Sequence, residues 1–163
     1  AVQVSGPSGE CVSVKNEGNR SIAMEDLSCN GSFMIFNRSR NLLDAVRHFT
    51  QFFVDESCGI CVPCRSGNID LLKKIDRVID GKACQRDLDE AVVWGNMVRK
   101  TSRCGLGGTS AKPILTTLAK FPELYQERLK EADGPLLPSF DLEESRRGYL
   151  EALSELNNRS ARS

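Results

Sequence analysis

The chain has 163 residues, enough for one ordinary domain or a small domain with attachments. Its 22 Lys and Arg balance 22 Asp and Glu, so charge gives no support to a nucleic-acid or membrane-surface role. No apolar run reaches the roughly 18 residues of a membrane span and no secretory pattern opens the chain, which reads as a soluble, cytoplasmic protein without direct membrane insertion. Seven cysteines, three of them within seven residues, favour metal ligation in a reducing compartment over a disulfide framework. The beginning, with Val2-Gln3-Val4 already alternating, reads as a piece of a longer protein.

Residues 1–36 are rich in strands and turns. Val2 and Val4 alternate, Gly6-Pro7-Ser8-Gly9 is a turn, Cys11 to Val14 is a second extended run, and Phe33 to Phe36 is a candidate buried strand. These short strands make a poor core alone. From Asn37 the apolar period becomes helical: Ser39 is a candidate N-cap, Leu42, Val46, Phe49 and Phe53 share one face, and the pattern fades at Glu56-Ser57. A second helix from about Arg65 carries Ile69, Leu72, Ile75 and Ile79 inward until Gly81. In the third, Asp87 and Glu90 have capping-box spacing ahead of the stripe Leu88, Ala91, Val92, Gly95 and Val98. After a loop at 103–110, a fourth helix uses Ile114, Leu115, Leu118 and Phe121, and Pro122 opens a further turn. Four helices with short links predict a compact bundle. Residues 133–138 read as a linker. Beyond them Asp141 and Glu144 open an amphipathic tail helix with Leu142, Tyr149, Leu153 and Leu156 on its stripe. The fold class is α+β, mainly α.

The chemistry concentrates in Cys58, Cys61 and Cys64, on the loop between the first two helices. Thiolates are soft donors for zinc or iron-sulfur clusters, and three leave a centre short of one ligand. Cys84 and Cys104 are the downstream candidates. In an up-down bundle the loop after the third helix lies at the same end as the loop after the first, which favours Cys104. Cys11, Cys29 and Cys84 then read as inert buried thiols. Three cysteines plus a distant one favour a 4Fe-4S cluster, while a structural zinc module held by four cysteines stays open as the alternative, since zinc sites usually draw separated CxxC pairs. Arg65, Arg103 and the start of the second helix would stabilise thiolates, and Gly59 and Gly105 would let backbone N–H groups approach sulfur.

The segment ESCGICVPCRSG, followed by SRCGLGG, resembles the C-terminal cluster region of the flavin-bearing NADH-oxidising (diaphorase) subunits of complex I, NAD-reducing hydrogenases and NAD-dependent formate dehydrogenases. QVSGPSGECV and GSFMIF are similar to the end of the β-grasp domain that precedes the bundle in that family, with the hydrogenase and formate dehydrogenase branch preferred. The resemblance implies that residues 1–36 are the end of a soluble-ligand-binding β-grasp domain, 37–132 a 4Fe-4S helical bundle and 133–163 a linker with a tail helix. It implies Cys58, Cys61, Cys64 and Cys104 as the cluster ligands. It further implies electron transfer between a flavin and iron-sulfur partner subunits, within an oxidoreductase whose FMN and NAD sites lie in an upstream flavin domain of the same parent subunit. Ser5 departs from the family pattern, standing where a glycine is expected. Gly105-Leu106-Gly107-Gly108 follows a helix and lacks dinucleotide spacing, so no FMN or NAD contact is assigned to it. His48 reads as a polar helix residue, the phenylalanines as core, and no residue as catalytic.

Overall fold

A computed structural model describes residues 1–130, 146, 147 and 149–151. Ala1–Glu131 form one compact unit and Ala132–Ser163 a second. In the second, Arg146, Arg147 and residues 149–151 are helical; the rest of the expected linker and tail helix lies outside the described residues. No helix among the described residues is long and apolar enough to cross a membrane.

The first unit opens with a three-stranded antiparallel sheet in the order β2 (Glu10–Val12), β1 (Val2–Val4), β3 (Phe33–Ile35). Alternation in β1 turns Val4 onto Val12 and Leu27, a small core of its own. A 3-10 turn, Gly6–Ser8, links β1 to β2, and Ser13 leads into a four-residue helix, α1 (Val14–Glu17), so the extended run expected through Val14 ends at Val12. Ser5 takes a left-handed φ of 64° next to Gly6 at 62°. Glycine adopts that conformation without strain, which is the physical reason a glycine fits there; Ser5 offsets part of the strain by donating from Oγ to the Ser28 carbonyl and accepting from the Asn30 N–H. β3 corrects one expectation. Phe33, Met34 and Ile35 are 46%, 39% and 81% exposed: β3 pairs with β1 alone among the described residues and adds no side chain to the cluster of Val4, Val12 and Leu27.

The helices follow as α2 (Leu42–Asp55), α3 (Val62–Ile79), α4 (Gln85–Thr101), α5 (Gly105–Thr109), α6 (Lys112–Lys120) and α7 (Pro122–Gln126). Asn41, not Ser39, caps α2 by accepting from the Leu43 N–H, while the Ser39 hydroxyl is turned to Asn37. Cys84 caps α4, with the Asp87 carboxylate reaching back to the Cys84 N–H at 3.0 Å, so Asp87 closes the capping box rather than opening it. The loop expected at 103–110 holds the short helix α5. On α3 the buried face is Gly67, Asn68, Leu71, Ile75 and Val78, whereas Ile69 is 40% exposed; on α4, Val92 likewise faces out. The principal core joins Leu43 and Val46 of α2, Leu71, Ile75 and Val78 of α3, Leu88 and Ala91 of α4, Ile114 of α6 and Tyr125 of α7. α3 and α4 pack tightly at Gly67, where an added Cβ would lie 2.4 Å from a Val98 methyl.

Lys120 at the end of α6 binds Glu10 of β2 and Glu17 of α1, and Arg20 completes the group on the same two carboxylates. Burial pushes both carboxyls up, but the hydrogen bonds from Lys120 and Arg20, joined at Glu17 by the Ser13 N–H, outweigh it and hold both pKa values below 4.5. A carboxylate with a depressed folded-state pKa contributes stability above its unfolded value and loses it as pH falls through the folded one. Lys120→Met is therefore expected to lower unfolding stability near neutral pH by roughly 1–2 kcal/mol, after allowing for solvent screening of these half-exposed groups. It should also flatten the loss of stability below pH 4.5, where both carboxyls titrate in the unfolded chain. Urea unfolding of the two proteins across the acid range, from about two units below that value to about two above it, reads both effects.

Candidate metal centre

α2 ends at Asp55 and α3 starts at Val62; between them Gly59, at φ 80°, makes a turn that L residues rarely adopt. Arg65, from the first turn of α3, folds back to donate to the Gly59 carbonyl at 2.5 Å and braces the loop. Cys61 is the N-cap of α3, which brings the positive end of an 18-residue helix to the loop. Cys64 lies one turn into α3 and is 6% exposed. α4 then returns the chain to the same end, where Ser102 is its C-cap and Cys104 the N-cap of α5.

Cys58, Cys61, Cys64 and Cys104 line one cavity of about 120 Å³, together with Glu56, Ser57, Ser102 and Leu106. Cys84 sits at the opposite end of α4, and the 17 residues of that helix span about 25 Å. Its half-buried Sγ lies 3.6 Å from the Asp87 carboxylate, in a capping role. Cys11 is buried on β2, where burial pushes its thiol up to about 11 and keeps it protonated. Cys29 is half-buried rather than buried, and its sulfur accepts from the Gly31 N–H. His48 is exposed on α2 with Nδ1 against the Asp44 carbonyl. Of the phenylalanines Phe53 is buried, but Phe52, whose ring meets it edge-on at 5.3 Å, is 42% exposed.

The donor set bears on what the cavity can hold. Four cysteines lining one cavity offer it soft sulfur donors, and that donor set fits an iron-sulfur cluster.

The spacing of the cysteines gives no role to three further polar side chains at the site. The Asn68 amide, fully buried, donates from Nδ2 to Cys64 Sγ at 3.4 Å, and Ser57 Oγ lies 3.4 Å from the same sulfur. Ser102 lines the cavity with a buried hydroxyl that has no partner in the protein. Asn68 was within reach of sequence, since it stands four residues after Cys64 on one helical face. Ser102 opens the segment SRCGLGG two residues before Cys104, but no spacing marked its hydroxyl as part of the site.

Residues 44–128 match the family model of the NADH-ubiquinone oxidoreductase-F iron-sulfur binding region, whose cofactor is a 4Fe-4S cluster. The chain is 66% identical over 156 residues to the NAD-reducing hydrogenase HoxS subunit alpha of Cupriavidus necator, covering 96% of this chain and 26% of that protein. It is 30% identical over 140 residues to the NADP-reducing hydrogenase subunit HndC of Solidesulfovibrio fructosivorans, covering 83% of this chain and 29% of the relative. In structure it is similar to an NAD+-reducing [NiFe]-hydrogenase crystallised in the H2-reduced state, with a TM-score of 0.78, 34% identity, and coverage of 97% of this chain and 27% of that one. The chain thus spans little more than a quarter of the length of these relatives. The gathering of the cysteines at one end of the helices and the match across α2 to α7 agree: the chain belongs to the family of the NADH-ubiquinone oxidoreductase-F iron-sulfur binding region.

Proposed function

We propose that Cys58, Cys61, Cys64 and Cys104 hold a 4Fe-4S cluster through which the chain passes electrons, one at a time, between a flavin and the clusters of partner subunits in an NAD-linked oxidoreductase of the NAD-reducing hydrogenase kind. The observation that carries this reading is the single cavity lined by all four thiols. Such a group supplies one-electron storage in a range from about −700 to +450 mV, set by its surroundings. The chain's own residues supply position and shielding. α3 and α5 present Cys61 and Cys104 at their first turns, Arg65 holds the loop, Leu106 covers one side of the cavity, and Ser57 and Asn68 hold Cys64.

The flavin and NAD sites belong, on this reading, to a domain upstream in the parent subunit, with residues 1–36 the end of an intervening β-grasp domain and 37–132 the cluster-binding bundle. Partner iron-sulfur subunits meet the face between α3 and α4. Val62 and Pro63, which separate Cys61 from Cys64, form a groove there with Trp94 and Met97; Ile60 beside it is 72% exposed and Val62 59%. Exposed apolar surface continuous with the cysteine loop supports that placement, because electron transfer requires close approach. A cytoplasmic location accords with seven cysteines that are all free thiols.

The chain purified without oxygen should contain iron and acid-labile sulfide in equal amounts, four of each, and show an EPR signal on reduction. Zinc without sulfide would sink the reading in favour of a structural metal module.

A further inference from the structure

Ser102 ends α4 with its backbone N–H on the Val98 carbonyl and its side chain at the cysteine cavity. The hydroxyl is buried and makes no hydrogen bond within the protein. A buried hydroxyl left unpaired is destabilising, and native structures keep such groups where another function uses them. α5 presses on it from behind: an added Cβ at Gly107 would lie 2.4 Å from Ser102 Cβ and 2.6 Å from its Oγ. No larger residue fits at 107 without moving Ser102, so the backbone of α5 holds this side chain against the cavity. It shares that cavity with the four cysteines, Glu56, Ser57 and Leu106, and cysteine thiolates in the ligated state can only accept hydrogen bonds.

Resting on the cluster reading above, we propose that Ser102 is a dedicated hydrogen-bond donor to the sulfur atoms of the bound cluster, and that it sets the cluster's reduction potential together with the Asn68 amide on Cys64. The two donors are independent in position. Asn68 is fully buried on α3 and approaches Cys64 from the helix interior, while Ser102 reaches the cavity from the end of α4. A thiolate at Cys64 also fixes which way the Asn68 amide points, since only its NH2 can donate, and this leaves Oδ1 as the second buried polar atom at the site without a partner. One unmet polar atom at the cavity, Ser102 Oγ, and another on the amide that holds Cys64 mark a site shaped for its ligand more than for the stability of the protein alone. Reduction adds negative charge, which donors to sulfur stabilise, so both groups raise the potential.

The test is an EPR-monitored redox titration of the full chain, wild type against Ser102→Ala, with Ser66→Ala as control. Ser66 is exposed on α3, two residues from Cys64, and does not line the cavity. Ser102→Ala should keep the cluster signal and shift its one-electron equilibrium about tenfold toward the oxidised form, about 59 mV to lower potential. Ser66→Ala should titrate with the wild type. An unmoved or raised potential in Ser102→Ala overturns the proposal, and so does loss of the cluster, which would make the hydroxyl an assembly element. A wild-type chain without the signal fails the cluster reading itself, an outcome distinct from a wild-type signal that Ser102→Ala leaves unshifted.

Discussion

Cys104→Ser is expected to abolish the EPR signal of the reduced 4Fe-4S cluster or convert it to that of a smaller one, while Cys84→Ser leaves it intact. Serine oxygen is a hard donor that ionises only with difficulty, so the substitution removes a soft ligand without changing the shape of the chain. Cys104 is exposed, and substitutions at such positions usually change stability by no more than about 0.5 kcal/mol. Loss of the signal therefore reports on ligation and not on folding. Cys84 caps α4 at the far end of that helix from the cavity. Serine is among the preferred N-cap residues and keeps the bond pattern with Asp87, so this variant should match the wild type in both signal and thermal stability. Iron content and the EPR spectrum of the two variants decide the matter; the reverse pattern would remove Cys104 from the ligand set.

The second expected result is a loss of about 3 kcal/mol of unfolding stability in Leu71→Ala, against a change within about 0.5 kcal/mol for Ile69→Ala. Leu71 is fully buried among α2, α3, α4 and α6, in the principal core. Deleting its side chain removes apolar burial and leaves a cavity that close-packed neighbours fill only in part. Ile69, two residues earlier on the same helix, is 40% exposed. Urea denaturation of both variants measures the difference, and equal losses would show that the buried face of α3 has been misphased. The result also bears on the site, because the residues that bury α3 hold Cys61, Cys64 and Asn68 in place.

The pair Ile69 and Leu71 marks a boundary of what periodicity can decide. α3 carries apolar residues at 69, 71, 72, 75, 78 and 79, and two overlapping stripes both satisfy a helical period. The stripe expected through Ile69, Leu72, Ile75 and Ile79 is buried at Ile75, and Ile79 packs partly buried against the core, but Ile69 is exposed. The structure brings Leu71 and Val78 onto the buried face instead, because Gly67 must face Val98 for α3 and α4 to approach. Asn41 and Ser39 tell the same story on a smaller scale: both are good N-cap types, and an Asx turn at Asn37 occupied the serine. Phe33 to Ile35 are continuously apolar, yet they are exposed, since composition cannot say whether a second layer covers a strand.

Local spacing was enough to reveal three thiols on one loop, their chemical softness and the helices on either side, because each of these depends on residues within a few positions of one another. The placement of Cys104 followed from counting helices and the ends at which their connections fall. The phase of α3, the unpartnered hydroxyl of Ser102 and the clamp of Lys120 on Glu10 and Glu17 came only with the folded chain. Each joins residues brought together by packing between separate elements, and for such pairs no period or motif in one segment records the partner.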